Sequence, residues 1–181
     1  MSDTAAFITI EADLDDESMT RRYKQMREDG VIDRPVKNFT RFDTSGKVIF
    51  LAAFELFRRM PPGPHDPSGT ALLVVDRDGA LEANTLYFKN YLKNGRTMAS
   101  PNDFIYTLPT SVCAELGIYF GIQGQLLYMS STEPDLYAFA VGQARNLVLE
   151  PRHENVLMFV NDNDHIKAAY ITRQSGALHE S

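Results

Sequence analysis

Apolar residues recur along this chain in two rhythms. Short runs rich in β-branched and aromatic residues, at 5–10 (AAFITI), 70–75 (TALLVV), 125–129 (QLLYM), 155–160 (NVLMFV) and 166–172 (IKAAYIT), predict strands. The 70–75 run has no polar alternation, as expected of a central strand covered on both faces. Between the runs, apolar residues fall at helical spacing. Met19, Tyr23 and Met26 mark a first helix, with Gly30 as its stop. A second begins at Asp43 or Thr44 (TSGKVIFLAAFELFRRM) and is apolar all round from Ile49 to Phe54, so it should be buried on more than one side. Leu81, Thr85, Phe88 and Leu92 mark the face of a third, and Val112, Leu116 and Tyr119 that of a fourth over 109–120. A long helix over 134–149 aligns Leu136, Ala140, Gln143 and Leu147.

The breaks between elements have their own chemistry. The segment PPGPHDPSG holds four prolines and two glycines in 61–69 and reads as a surface loop. Residues 95–101 form another. The NDND run at 161–164 reads as turn chemistry joining the last two strands, which makes the final strand antiparallel. The tail 174–181 is expected to be flexible. The order β-α-α-β-α-α-β-α-β-β, without repeat or interior boundary, implies one α/β domain over 1–181. Its sheet is covered by helices on both faces.

Composition narrows the function classes. The chain has 181 residues, enough for one domain. Its net charge of −6, with no basic cluster, argues against nucleic acid as a partner. No apolar stretch is long enough to span a membrane and no signal-type segment opens the chain, so the cytoplasm is the expected location. A lone cysteine, Cys113, offers neither an internal disulfide nor a zinc site, and mid-helix it reads as a small buried hydrophobe. His65, His153, His165 and His179 share no spacing with carboxylates that suggests a metal and read as solvated. The NDND run lacks the glycine and distal glutamate of a calcium loop. GIQG lacks the lysine of a phosphate-binding loop. No metal and no cofactor are expected.

One stretch carries more information. Residues 99–131, ASPNDFIYTLPTSVCAELGIYFGIQGQLLYMSS, contain Ser100-Pro101, Phe104, Thr107-Leu108-Pro109 and Phe120-Gly121-Ile122-Gln123-Gly124. This resembles the segment of β-ketoacyl synthases that leads up to the catalytic cysteine. In that family a Phe-Gly-x-x-Gly-Pro motif precedes a strand, and the nucleophile then opens a buried helix. A looser likeness covers about residues 40–170. The resemblance implies the N-terminal half of a thiolase-like fold, with a five-stranded mixed sheet covered by helices on both faces. Ligand binding is implied for Thr107, Pro109, Ser131, Thr132 and Glu133. An intermolecular interface is implied along the strand before the nucleophile, at Gly124, Gln125, Leu126, Leu127, Tyr128 and Met129.

The departures from the family pattern decide the expected function. Gln125 stands where the family has proline, and the nucleophile position falls on Glu133. Glutamate cannot form a thioester. Thr132 and Asp135 read as a capping pair, with Glu133 and Pro134 filling the first helical turn. The chain also ends where the histidine-bearing second half of such enzymes would begin. The resemblance therefore implies a catalytically inactive accessory subunit akin to chain-length-factor proteins. It would act with a ketosynthase or acyl carrier protein in fatty-acid or polyketide-type biosynthesis. The expected assembly is a homodimer or a heterodimer with a ketosynthase. A stand-alone acyl- or small-ligand-binding module, and a malonyl-thioester decarboxylase using Glu133, are the alternatives.

Overall fold

Every residue of strand β2, Thr70–Asp76, is buried, and the elements around it arrange themselves to make that so. The computed structural model describes residues 2–11, 15–60, 66–94, 104–162 and 165–173. In chain order these form β1 (Ser2–Glu11), α1 (Asp16–Glu28), a 3-10 turn (Phe39–Arg41), α2 (Thr44–Arg59), β2, α3 (Leu81–Asn94), α4 (Thr110–Phe120), β3 (Leu126–Ser130), α5 (Leu136–Leu149), β4 (Asn155–Asp162) and β5 (His165–Arg173). The strands make one mixed sheet in the order β1-β5-β4-β2-β3. Strands β3 and β4 flank β2 in parallel, and β5 and β1 continue the sheet antiparallel.

The two-residue period of a strand divides the core cleanly. Leu72 and Val74 of β2, with Leu157 and Phe159 of β4, point to one face, where α1, α2 and α4 pack. Ala71, Leu73 and Val75, with Val156, Met158 and Val160, point to the other, which α5 covers through Leu136, Ala140, Ala144, Leu147 and Val148. Ala144 takes the place in that buried row expected for Gln143. Helix α2 lies between the sheet and the outer helices, and Ile49 through Ala53 have no exposed surface at all. Each such Leu, Ile or Phe stabilises the fold by about 1.5–3 kcal/mol through burial. Asp43 starts α2 by accepting the Gly46 N–H at 2.8 Å.

Helix α3 departs from expectation. It forms where predicted, but the face marked by Leu81, Phe88 and Leu92 is not a core face: these side chains are 62, 58 and 62% exposed. The helical period is real, yet none of the described elements packs against that stripe. The NDND run also differs. Asn161 and Asp162 extend β4 and pair with β5, because Asn161 finds buried side-chain partners instead of turning the chain. Asn163 and Asp164 lie outside the described residues. So do Ser100 and Pro101 of the family-like segment, His65, His179, residues 61–65 and 95–103, and the 174–181 tail.

The two glycines of the FGIQG segment have separate physical causes. Gly121 ends α4 in the left-handed region at φ 69°. Gly124 has no room for a side chain: a Cβ there would overlap the Thr70 carbonyl oxygen and lie 2.7 Å from its carbon. The same carbonyl accepts the Gly124 N–H at 3.2 Å, so β2 and the approach to β3 are clamped backbone to backbone. Gly124→Ala should cost about 1–3 kcal/mol through this overlap, read as a lower urea midpoint with an unchanged m-value.

Candidate functional site

The three parallel strands end side by side, Asp76 of β2 in register with Ser130 of β3 and with Asn161 of β4. The carboxyl edge of parallel strands is where loops and helix N-termini converge in α/β folds. Here that edge holds a buried polar cluster. Asp76, 2% exposed, accepts the backbone N–H groups of Asp78 and Gly79 through Oδ1, each at 2.9 Å. Its Oδ2 accepts Asn161 Nδ2 at 3.0 Å. The same amide donates to Ser45 Oγ on α2. The Tyr128 hydroxyl also hydrogen-bonds Asp76, and burial, followed by that carboxyl's charge, pushes the Tyr128 pKa upward. A buried carboxyl with this many donors is satisfied, each bond to it contributing about 1.5–3 kcal/mol.

A second acid stands close by. Asp43 has a raised pKa because burial disfavours its charge, and the neighbouring carboxyls Glu82 and Asp76 act in the same direction. The Gly46 N–H and Lys47 oppose the shift. Asp43, Ser45, Asp78, Glu82 and Asn161 line a cleft of about 360 Å³ at this edge. A much smaller void of about 20 Å³ lies beneath, bounded by Asp76, Gly79, Tyr106, Pro109 and Tyr128. Arg77 ties the edge together: its Nε donates to Asp162 at 2.6 Å, and its terminal nitrogens donate to the Glu133 carbonyl at 3.3 Å. Among the described residues no group of three or more potential ligands could hold a metal ion.

The residues singled out from sequence fall into two groups here. Thr107 is buried, with Oγ1 donating to the Phe104 carbonyl at 2.6 Å and its own carbonyl accepting Asn84 Nδ2 at 3.3 Å. Pro109 precedes α4 and borders the small void. Ser131, Thr132 and Glu133 follow the end of β3. The Ser131 N–H donates to the Asp76 carbonyl at 3.1 Å, while Thr132 and Glu133 are exposed. The expected cap is corrected: Asp135 is the N-cap of α5, accepting the Ala138 N–H at 2.9 Å. Glu133 therefore precedes the helix, and its N–H donates to Ser131 Oγ at 3.2 Å in a local turn.

The arrangement can be set beside known proteins. No protein-family model and no curated protein matches the sequence. Solved structures do. A chain of the ketosynthase from Xenorhabdus doucetiae in complex with its chain length factor superposes with a TM-score of 0.68 at 16% identity, over 97% of this chain and 80% of that one. The ishigamide ketosynthase/chain length factor gives 0.69 at 9% identity, covering 98% and 63% of the two chains. A type II polyketide acyl-carrier protein in complex with its hexaketide-bound ketosynthase gives 0.71 at 12%, covering 98% and 64%. The chain has the ketosynthase fold. It spans a little under two thirds of the length of the last two ketosynthase-type chains.

Sequence reasoning missed most of the carboxyl edge, since it takes Asn161 and Asp162 as turn residues and does not single out Asp76. A signal was present, since an acidic residue directly after an unbroken apolar strand sits at the carboxyl edge of the sheet. His153 is also corrected. It is 4% exposed, not solvated, with Nδ1 lacking a hydrogen-bond partner and Nε2 3.9 Å from Glu150. It packs in the turn between α5 and β4, at the opposite end of β4 from the carboxyl edge. Cys113 lies on the core face of α4, 2% exposed, and burial pushes its thiol up to about 12.

Two outcomes are expected. Cys113 should resist iodoacetamide at pH 8 in the native protein and react after unfolding in urea, because little thiolate forms and access is closed. For Asp43 the folded pKa exceeds the unfolded one. Its contribution is thus fully present below the unfolded pKa and is lost as pH rises through the folded value. Asp43→Asn keeps a competent cap and removes that loss. The stability gained by the variant should grow as pH rises above about 4 and level off once pH passes the folded pKa of Asp43, measured by urea denaturation.

Proposed function

We propose that the chain is a catalytically inactive, ketosynthase-like accessory subunit that pairs with an active ketosynthase and its acyl carrier protein in polyketide- or fatty-acid-type biosynthesis. The observation that carries this reading is the residue after the outer strand. In a ketosynthase fold the nucleophile follows the strand that β3 represents, and here that position is the exposed carboxyl of Glu133. Acyl transfer through a thioester needs a thiolate there. Cys113, buried in α4 with a raised pKa, cannot stand in for it. Thr107, Pro109, Ser131 and Thr132 then serve as the rim of a pocket completed by the partner.

The surface supports pairing through β3. It is the last strand of the sheet, so one of its edges has no strand beside it among the described residues. The Gln125 carbonyl and the Ser131 N–H both bond to β2. By strand alternation, Leu126, Tyr128 and Ser130 direct their backbone groups to the open edge. An open edge is a template for pairing with another chain. Leu81, Leu86, Phe88, Leu92, Phe104 and Ile105 add exposed apolar surface of the kind that marks protein contacts. The similar structures in which a ketosynthase is complexed with a chain length factor or an acyl carrier protein point to the same class of partner.

Native mass spectrometry of the tagged chain purified from its own organism tests the proposal. The expected spectrum contains a larger ketosynthase subunit in one-to-one complex. Ser130→Pro, which removes an outward N–H without touching the bonds to β2, should abolish that complex while leaving the circular dichroism spectrum unchanged. A chain that never associates with a ketosynthase or carrier protein would overturn the proposal.

A further inference from the structure

Another cleft lies at the other end of the sheet from the edge described above. It has a volume of about 570 Å³, within the range of sites that enclose small organic ligands. Thr70, the first residue of β2, helps form its base, whereas Asp76 ends the same strand about 20 Å away at the usual strand rise. The walls are aromatic: Phe54, Phe57, Phe120 and Tyr170 all contribute. The rings of Phe57 and Phe120 stack at 4.6 Å, and Phe54 meets Phe120 at 5.5 Å. At the base, the Thr70 and Tyr170 hydroxyls lie 3.3 Å apart, and Thr70 donates to the Asp66 carbonyl at 2.7 Å. The base is already satisfied, so it selects for an apolar body.

The rim is cationic. Arg34 and Arg58 line it, against one carboxyl, Asp33. Asp33 accepts the Tyr119 hydroxyl at 2.9 Å. Arg34 lies over the Tyr119 ring, 4.7 Å from its centre, and gives one donor to the Tyr119 carbonyl, which leaves other N–H groups of its guanidinium for a ligand. Arg58 bonds Glu55, but that carboxyl is shared with Arg22, so two cations face one anion. This local excess of positive charge occurs in a protein whose net charge is −6. An anion is therefore favoured at this rim.

We infer that this cleft binds a small aryl carboxylate, its ring among Phe54, Phe57 and Phe120 and its carboxylate on the guanidinium groups of Arg34 and Arg58. Planar guanidinium forks suit a carboxylate, and stacked aromatic walls suit a flat apolar body. The inference does not depend on pairing with a ketosynthase, and it involves none of the residues at the carboxyl edge.

Isothermal titration calorimetry of the purified full chain with trans-cinnamate provides the test. Wild type should bind one equivalent saturably with submillimolar affinity. Cinnamyl alcohol, which keeps the ring and loses the charge, should bind at least roughly tenfold more weakly, and Arg58→Met should lose roughly tenfold for cinnamate. Ile122→Trp, which projects bulk into the cleft, should abolish binding with circular dichroism unchanged. Phe88→Ser, on the exposed stripe of α3, should leave the affinity as in wild type. Absence of saturable binding to wild type would overturn the assignment. So would cinnamate binding that survives both Arg58→Met and Ile122→Trp but disappears in Phe88→Ser, since it would place the ligand on the surface stripe.

Discussion

A strand without a polar face cannot stand at the surface of a protein, and β2 has none: all seven of its residues are buried. Much of the architecture follows from that requirement. Parallel neighbours on both sides need crossover connections, which supply helices for the two faces. Residues 72 and 74 then meet α2 and α4, and residues 71, 73 and 75 meet α5. The same requirement brings the residue that ends the strand into the interior. Asp76 is buried by position, and a buried carboxyl without donors would cost several kcal/mol. Two turn N–H groups, the Asn161 amide and the Tyr128 hydroxyl remove that cost and, in doing so, join the ends of all three parallel strands.

The chemistry available at the carboxyl edge is thereby limited. Asp43, Asp76, Asp78 and Glu82 gather there without a cation among the residues that line the cleft. Burial raises the pKa of Asp43 there, and the charges of Glu82 and Asp76 add to the shift. Among the described residues that line the cleft there is neither a cysteine nor a histidine. Asn161 and Tyr128 hold Asp76 in place and are held by it. Such a cluster fixes the backbone where the parallel strands end.

How much of this could be read from sequence varied with the physics involved. The strands, the all-round burial of α2 and the antiparallel last strand were legible because each rests on local periodicity. The helix over 81–94 was legible as a helix, but its apolar stripe does not say whether something packs on it, and here nothing described does. The polar cluster was hidden for a different reason. Ser45, Asp76, Tyr128 and Asn161 are separated by up to 116 residues, and no spacing rule connects them until β2 has neighbours. His153 misled because a loop position usually means solvent, whereas this turn is pinned beneath Arg173, which donates to the His153 carbonyl at 2.6 Å. Glu133 was expected in the first turn of the helix but precedes it, because Asp135 competes with Thr132 for the cap and wins.

The aromatic cleft is built differently from the carboxyl edge. Its wall residues are set by α2 and α4, which bury β2 from one side, and by β5 of the same sheet, so the cleft is continuous with the core behind it. Phe54 and Tyr170 belong at once to that core and to the cleft. Its rim, by contrast, comes from Asp33 and Arg34 beyond α1 and from the last turn of α2, segments that carry charge without carrying the sheet. A recognition surface built in this way can change its ligand by changing exposed arginines while the packing that supports it stays fixed. The acidic carboxyl edge has no such freedom, because its polar groups are the fastening of the strands themselves.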